Sequence, residues 1–195
     1  PELPYDSITG GYYDSGDFIN VWDNLMSHID LSAFRKEQEK ARQEGRYIGI
    51  GFATGVELSG MASEVLVPME NQPGYGAACV RLDPRGTVLV FGGDAPGGQG
   101  HETSAAQVVA NAFGIDPADT VTTTGDTATT PFGAGTIGAR AASYFMSAVH
   151  NACVQLKEKI TRILAHDLGI DAGLDDFDFV GGEVILRSDP SLQPS

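Results

Sequence analysis

Clustered glycine is the feature that most constrains how this chain folds. The chain has 25 glycines among 195 residues, about twice the usual share of ~7%. Many of them lie in two clusters, at 92–100 and 125–138. Clustered glycine is typical of backbone that takes positive φ angles or lets a ligand come close, whereas scattered glycine marks turns. We therefore expect the function to depend on these two segments.

Each cluster leads into a predicted helix, and we call the two transitions the first junction (97–103) and the second junction (131–140). A helix start leaves several N–H groups without a partner inside the helix, so it attracts anions. In the second junction, Thr136 adds a hydroxyl and Arg140 adds a positive charge. The alternative is that the glycines serve only as turns and allow close helix packing.

Energetics favour two junctions acting on one ligand. About four charge-assisted hydrogen bonds at ~1.5 to 3 kcal/mol each supply ~6 to 12 kcal/mol. Association costs ~4 to 15 kcal/mol. A single junction would bind weakly, so we expect the two to converge on one elongated anion.

Hydrophobic periodicity predicts an α+β fold: a mixed sheet, a long amphipathic helix, and two Gly-rich loops that open into helices. Residues 1–46 are predicted to form an N-terminal arm and linking helices, and residues 47–195 a single α+β domain. Helices are predicted at 17–29, 32–43 with Ser32 as cap, 101–113 and 136–168. In the last of these, the apolar stripe runs from Ile137 through Phe145 to Ile163. Strands are predicted at 47–52, 77–82, 87–91, 120–124, 177–180 and 184–186, with a turn at 83–86.

Charge and cysteine content narrow the class of protein. The net charge of −14 makes nucleic acid and anionic membrane surfaces poor partners. No apolar run reaches the length of a membrane span. Cys79 and Cys153 are widely spaced, which predicts free thiols, no metal site and a cytoplasmic location.

Residues 133–138 match the Gly-x-Gly-x-x-Gly pattern of dinucleotide-binding folds, but their context differs. That pattern follows directly on a strand, and an acidic residue about twenty positions later closes a second strand. Here ten residues, Pro131 among them, precede the glycines, and position 158 lies inside the long predicted helix. The interpretation of this chain as a nicotinamide-binding dehydrogenase rests on this match alone. The phosphate-loop pattern of nucleotide triphosphatases does not occur.

Candidate catalytic groups lack the spacing that catalysis requires. His101 and Glu102 are adjacent at a helix start and point in different directions. Glu57 and Glu64 flank a Gly/Ser/Met segment that does not fix their geometry. Ser59 and Ser143 lack the context of an activated nucleophile. We therefore predict no catalytic residue in this chain.

At the two junctions the sequence resembles the molybdopterin-binding large subunit of the molybdenum hydroxylases, the family of xanthine dehydrogenase, aldehyde oxidase and aerobic carbon monoxide dehydrogenase. Residues 98–103, Gly-Gln-Gly-His-Glu-Thr, followed by Gln107, are similar to the family's Gly-Gln-Gly cofactor loop and helix. Residues 125–140 are similar to its second cofactor segment, and residues 13–17 and 49–57 to its linking region. The likeness covers about residues 5–170.

The resemblance implies the roles of individual residues. By position, Gly98, Gln99 and Gly100 would touch the pterin or its phosphates, and His101 and Thr103 start the adjoining helix of the same site. The pyrophosphate or nucleotide end would be received by Thr136, Gly138, Ala139 and Arg140. The family commonly has Ser where this chain has Ala139, so a side-chain contact there is lost while a backbone contact survives.

The resemblance also implies what lies elsewhere. The family's catalytic glutamate belongs to a Gly-x-Gly-Glu segment that does not occur in this chain, so we expect a middle fragment of the subunit, inactive alone. The complete enzyme would hydroxylate an aldehyde, purine, N-heterocycle or similar small molecule with water. Its cofactor would be a molybdenum-bearing molybdopterin, with or without an attached nucleotide. Expected partners are the remainder of the large subunit and the iron–sulfur (2Fe-2S) and flavin (FAD) subunits. The alternative is a non-catalytic assembly module that kept the loops for packing.

Overall fold

The computed structural model describes residues 2–8, 11–56 and 75–192. Contacts divide the chain into two compact units, residues 1–56 and residues 57–195. The α+β prediction is confirmed, because helices alternate with small antiparallel and mixed sheets.

The first unit consists of a short hairpin and two capped helices. Strands β1 (Tyr5–Asp6) and β2 (Tyr12–Tyr13) pair antiparallel. Helices α1 (Phe18–Ser27) and α2 (Leu31–Gln43) follow. The prediction of Ser32 as the cap of α2 was wrong: the Asp30 carboxylate accepts the N–H of Ala33 at 2.8 Å, and carboxylates are strong N-caps.

The strand predicted at 47–52 is also wrong, because these residues have no regular structure. The Gln38 side-chain amide donates to the Ile48 carbonyl at 2.8 Å. The ring of Phe52 packs edge-on against Trp22, with 5.7 Å between centroids. The segment therefore packs along helices of its own unit instead of joining a sheet.

The second unit is built on a mixed sheet of strands β3 (Ala78–Leu82), β4 (Val88–Gly92) and β5 (Thr120–Thr124), with β4 in the centre. Strands β3 and β4 pair antiparallel across the predicted turn, where the N–H of Gly86 donates to the Asp83 carbonyl at 2.9 Å. Strands β4 and β5 are parallel, and helix α3 (His101–Phe113) connects them. Because the carboxyl ends of parallel strands share one sheet edge, both glycine clusters begin at the same edge.

Helix α4 (Arg140–Leu168) begins four residues later than predicted. Gly135 and Gly138 have φ angles of 79° and 53°, which an α-helix does not use. The buried stripe of α4 agrees with the predicted one at Phe145, Leu156 and Ile160, which are buried in the core or packed against it. It differs at Ile163, which is 49% exposed. The residues that face the core are Ala141, Phe145, Val149 and Cys153.

The core of the second unit lies where β4, α3 and α4 meet, and its buried members are Val88, Val90, Ala105, Val109, Phe113, Phe145, Val149 and Cys153. Strands β6 (Phe177–Val180) and β7 (Glu183–Leu186) form an antiparallel pair. Phe179 of β6 packs edge-on against Phe113, at 5.9 Å between centroids. Both cysteines are free thiols, as predicted. Among the helices of the described segments, none combines the length and apolar character that crossing a membrane requires.

Candidate functional site

The loops that lead from β4 and β5 cross each other in direct backbone contact. A Cβ atom added to Gly93 would lie 2.5 Å from the Gly133 nitrogen and 2.7 Å from the Pro131 carbonyl oxygen. A Cβ atom on Gly133 would lie 2.9 Å from the backbone of Gly93. Real Cβ atoms do not approach backbone this closely, so these two glycines are required for packing.

The glycines of the first junction serve a different purpose. Gly98 and Gly100 have φ angles of 106° and 76°, and, their chain neighbours aside, no atom of the described residues lies within 4 Å of where a Cβ would be. Gly100 is the N-cap of α3, and no side chain caps the first turn of this helix. The first N–H groups of α3 are therefore left for a partner outside the helix.

A chain of hydrogen bonds joins the two junctions. The Thr136 hydroxyl donates to the Ala95 carbonyl at 2.6 Å. The Nε2 atom of His101 lies 2.9 Å from the same hydroxyl oxygen. Because the hydroxyl has a single proton, which Ala95 receives, His101 donates from Nε2. The His101 ring and the Thr136 hydroxyl therefore use these donors within the protein, His101 on Thr136 and Thr136 on the Ala95 carbonyl.

A cavity of about 210 Å³ lies between the two helix starts. Residues from both junctions line it. Its lining residues are Gln99, His101, Ser104, Thr136, Gly138, Ala139, Ala141, Ala142 and Met146. The volume is below the ~300 to 1,000 Å³ of ligand pockets, so it accommodates part of a large cofactor, such as a phosphate group.

Three predicted site residues lie differently from the simplest expectation. The Gln99 side-chain oxygen accepts the N–H of Gly97, so this side chain folds over its own loop. Thr103 is exposed and does not line the cavity. Arg140 is 2% exposed and lies behind the lining, where its guanidinium donates to the Gly135 carbonyl at 3.4 Å and the Tyr75 carbonyl at 2.9 Å.

The sequence interpretation missed Asp94, which follows β4 and Gly93. Asp94 is fully buried, and neither of its carboxylate oxygens has a hydrogen-bond partner in the described parts of the chain. Burial raises the pKa of Asp94, while the charges of Arg140 and His101 act in the opposite direction. An acid that directly follows a Gly-Gly pair at a strand end was the available signal.

We predicted no catalytic residue in this chain. Glu102 and Ser143 are among the side chains that were considered and that the structure describes. Glu102 is exposed, and the Ser143 hydroxyl donates to the Arg140 carbonyl at 3.1 Å. Glu57, Ser59 and Glu64 lie outside the described residues. Within the described segments, no group of three or more His, Cys, Asp or Glu side chains could hold a metal ion.

Comparison with known families places this geometry in context. Residues 24–193 match the family described as the molybdopterin cofactor-binding domain. The chain is 33% identical over 169 residues to the nicotine 6-hydroxylase large subunit of Paenarthrobacter nicotinovorans, a match that covers 86% of this chain and 21% of the relative. It is 28% identical to the carbon monoxide dehydrogenase large chain of Hydrogenophaga pseudoflava, covering 97% of this chain and 24% of that one.

Solved structures give the same picture. The structure of quinoline 2-oxidoreductase from Pseudomonas putida 86 superposes with a TM-score of 0.68 at 27% identity. That match covers 97% of this chain and 24% of the larger one. A Cu,Mo carbon monoxide dehydrogenase superposes with a TM-score of 0.64 at 28% identity, covering 96% and 24%. The chain thus spans about a quarter of the length of the relatives it matches.

Proposed function

The chain belongs to the molybdopterin cofactor-binding domain family, and we propose that its two junctions hold the anionic part of such a cofactor within a larger oxidoreductase. The observation that carries this proposal is that both helix starts line one cavity. The His101–Thr136 hydrogen bond, at 2.9 Å, keeps them together.

The residues fit such a group in three respects. The glycines of the first junction leave open space at positive φ, so a ligand can reach the backbone closely. In the described residues, neither N-cap residue of α3 and α4 makes a side-chain cap hydrogen bond. The Arg140 N–H donates to the Ile137 carbonyl at 3.3 Å, so the other N–H groups of the first turns, with the helix dipoles, favour an anion. The cavity volume suits a phosphate or one edge of a pterin and not the whole cofactor.

We assign the holding of the cofactor chiefly to backbone. Gly98 and Gly100 let the ligand approach, and the N–H groups at the starts of α3 and α4 bind its negative charge. Gln99 adds its side-chain amide, and Arg140 supports the second junction from behind. When bound, the cofactor supplies the molybdenum redox chemistry, and this chain binds and orients it.

For the complete enzyme, we propose hydroxylation of a small organic molecule or a related oxidation with water as the oxygen source. The relatives are named for three different molecules: nicotine, carbon monoxide and quinoline. The substrate class is therefore determined by parts of the enzyme other than the features that this chain shares with them. The relatives' names include a large subunit and a complex subunit gamma. Proposed partners are accordingly the rest of a large subunit and the iron–sulfur and flavin subunits that accept electrons.

The test is made on the native assembly that contains this chain. Molybdenum and pterin are quantified in the purified assembly and in a Gly138→Phe variant, whose side chain would occupy the cavity. Wild type with stoichiometric molybdenum and pterin, and a variant with neither, supports the proposal. Equal cofactor content in both would contradict it.

A second measurement separates cofactor binding from a purely structural role of the loops. The assembly is produced without cofactor and titrated with inorganic pyrophosphate while amide hydrogen exchange is followed. Protection of both junctions supports the cofactor site. An unchanged exchange pattern favours the assembly module, and protection by a nicotinamide dinucleotide alone favours a dehydrogenase.

A further inference from the structure

We propose that His101 determines which part of the cofactor enters the cavity: its Nδ1 atom accepts a hydrogen bond from an N–H group of the ligand, so that the cavity takes the N–H-bearing edge of a pterin ring and not a phosphate. This inference rests on the proposed function, because it concerns the same cavity. It goes further, since the volume alone allows either group.

The Nε2 atom of His101 is already used within the protein. It lies 2.9 Å from the Thr136 hydroxyl oxygen, whose own proton goes to the Ala95 carbonyl at 2.6 Å. Nε2 therefore carries a proton and donates it to Thr136. A ring with this proton is either neutral, with Nδ1 as an acceptor, or charged, with Nδ1 as a second donor. Nδ1 thus decides what the ring offers to a ligand.

Nδ1 has no hydrogen-bond partner among the described residues, although His101 is only 5% exposed. Buried polar atoms are nearly always hydrogen-bonded. His101 also lines the cavity between the two helix starts. A partner for Nδ1 therefore belongs in the cavity, and a ligand group that replaces water there must match the hydrogen-bonding role of this nitrogen.

The surroundings of His101 favour the neutral ring. At pH 7 an imidazole is mostly neutral. His101 is the first residue of α3, and the start of a helix carries a partial positive charge that disfavours a cation. Asp94 is the acid that interacts with His101, and burial raises the pKa of Asp94, which weakens its attraction for a ring proton. Nδ1 is therefore an acceptor and requires a donor.

An acceptor in the cavity discriminates between the parts of a molybdopterin. The oxygens of an ionised phosphate are acceptors, so no proton would lie between them and Nδ1. A pterin ring has amide and amino N–H groups along one edge, and these are donors. Part of the cavity lining is apolar, which also suits a flat uncharged ring better than a phosphate. Its apolar members are Ala139, Ala141, Ala142 and Met146.

The phosphate is then bound by backbone N–H groups at the helix starts, which do not depend on Nδ1. At the first junction, Gly98 and Gly100 leave this backbone open. The two parts of the ligand can therefore be tested separately.

The decisive substitution is His101→Gln. The Gln amide can donate to Thr136 as Nε2 does, but it has no acceptor in the place of Nδ1. The cofactor-free native assembly, as wild type and as this variant, is titrated with unsubstituted pterin and separately with inorganic pyrophosphate, and calorimetry measures the affinities. Pterin affinity should fall about tenfold, as expected for one lost hydrogen bond. Pyrophosphate affinity should change by less than about twofold.

A change in the ligand tests the same contact without a substitution. A pterin whose amide and amino nitrogens are fully methylated cannot donate, so wild type should bind it about tenfold more weakly than pterin. His101→Gln should bind the two pterins equally, which shows that the methyl groups themselves do not interfere. Because the first of these comparisons needs only wild type, it decides the question even if the variant does not fold.

The matched control is His150→Gln, at an exposed histidine of α4, which should leave both affinities unchanged. The inference is overturned if wild type binds both pterins equally, if wild type binds pyrophosphate but no pterin, or if His101→Gln binds pterin like wild type. It is also overturned if His101→Gln loses pyrophosphate affinity, which would assign His101 to a phosphate. Failure of the proposed function is distinguishable, because then wild type would bind neither pterin nor pyrophosphate.

Discussion

The two junctions resemble each other in sequence, but they differ in what their residues contact. In the first, Gly98 and Gly100 have open space around them and α3 has an uncapped start. In the second, Gly133 lies against Gly93, and the Thr136 hydroxyl is spent on Ala95. The first junction thus leaves its backbone open at Gly98 and Gly100, while much of the second packs against the neighbouring loop. A shared glycine pattern therefore does not imply a shared role.

The largest effect is expected from disrupting the close backbone contact between the two loops at Gly93 and Gly133. Gly93→Ala should cost about 3 kcal/mol of unfolding free energy, the upper end for overpacking, because its Cβ would lie 2.5 Å from the Gly133 nitrogen. Chemical denaturation of the native assembly measures the loss. Gly173→Ala, whose nearest atom would be 4.0 Å away, is the control. A similar effect of both changes would show that the crossing is not tight.

A second change tests whether the first junction is truly open to a ligand. Gly100→Ala should cost about 1 kcal/mol of stability from the left-handed backbone and weaken pyrophosphate binding by roughly tenfold. Gly169→Ala has a similar φ of 66° and equally empty surroundings, but it lies at the far end of α4. It should lose stability only. Equal binding by the two variants would argue against a ligand at Gly100.

Substitution of Thr136 tests whether its hydroxyl holds the two loops together. Thr136→Val removes the bonds to Ala95 and His101 and should cost about 1 kcal/mol. Thr136→Ser keeps the hydroxyl and should retain most of that stability. Thermal unfolding of both variants measures the difference. If Ser and Val behave alike, the hydrogen-bond chain does not fasten the loops.

The smallest effect is expected in β5, the strand that precedes the second junction. Val90 of β4 lies opposite Thr122 of β5, whose buried hydroxyl oxygen has no hydrogen-bond partner in the described residues. Thr122→Val should stabilise the fold by up to about 1 kcal/mol, because it removes an unsatisfied buried polar group. Thr123→Val, on the opposite face of β5, should be close to neutral. Destabilisation by Thr122→Val would show that its hydroxyl has a role.

Much of the fold could be predicted from local pattern. Helix α3 and strand β5 have the predicted bounds, and the others in the second unit differ by a few residues at most. Hydrophobic periodicity and the glycines that end helices are local signals. They predict an element correctly where its tertiary contacts favour the same structure. The strand at 47–52 failed because contacts of Phe52 and Ile48 within the first unit outweigh its β propensity.

The site could be predicted only in outline. The prediction that the two loops bind a ligand remains a prediction. Their closeness follows from the parallel pairing of β4 and β5, which single-sequence patterns do not reveal. The same patterns cannot tell that Gly93 packs while Gly100 is open, because both are glycines after a strand. Asp94 was missed because its significance comes from burial, and burial depends on the folded chain.

Among the described residues, those that line the cavity between the helix starts come from a single stretch, 99–146, so the ribosome synthesises them in a fixed order. The side formed by α3 is complete before any residue of the opposite side exists. At that moment only the α3 side of the cavity lining would be present. A ligand that needs contacts from both sides could be held only after Met146 has been synthesised.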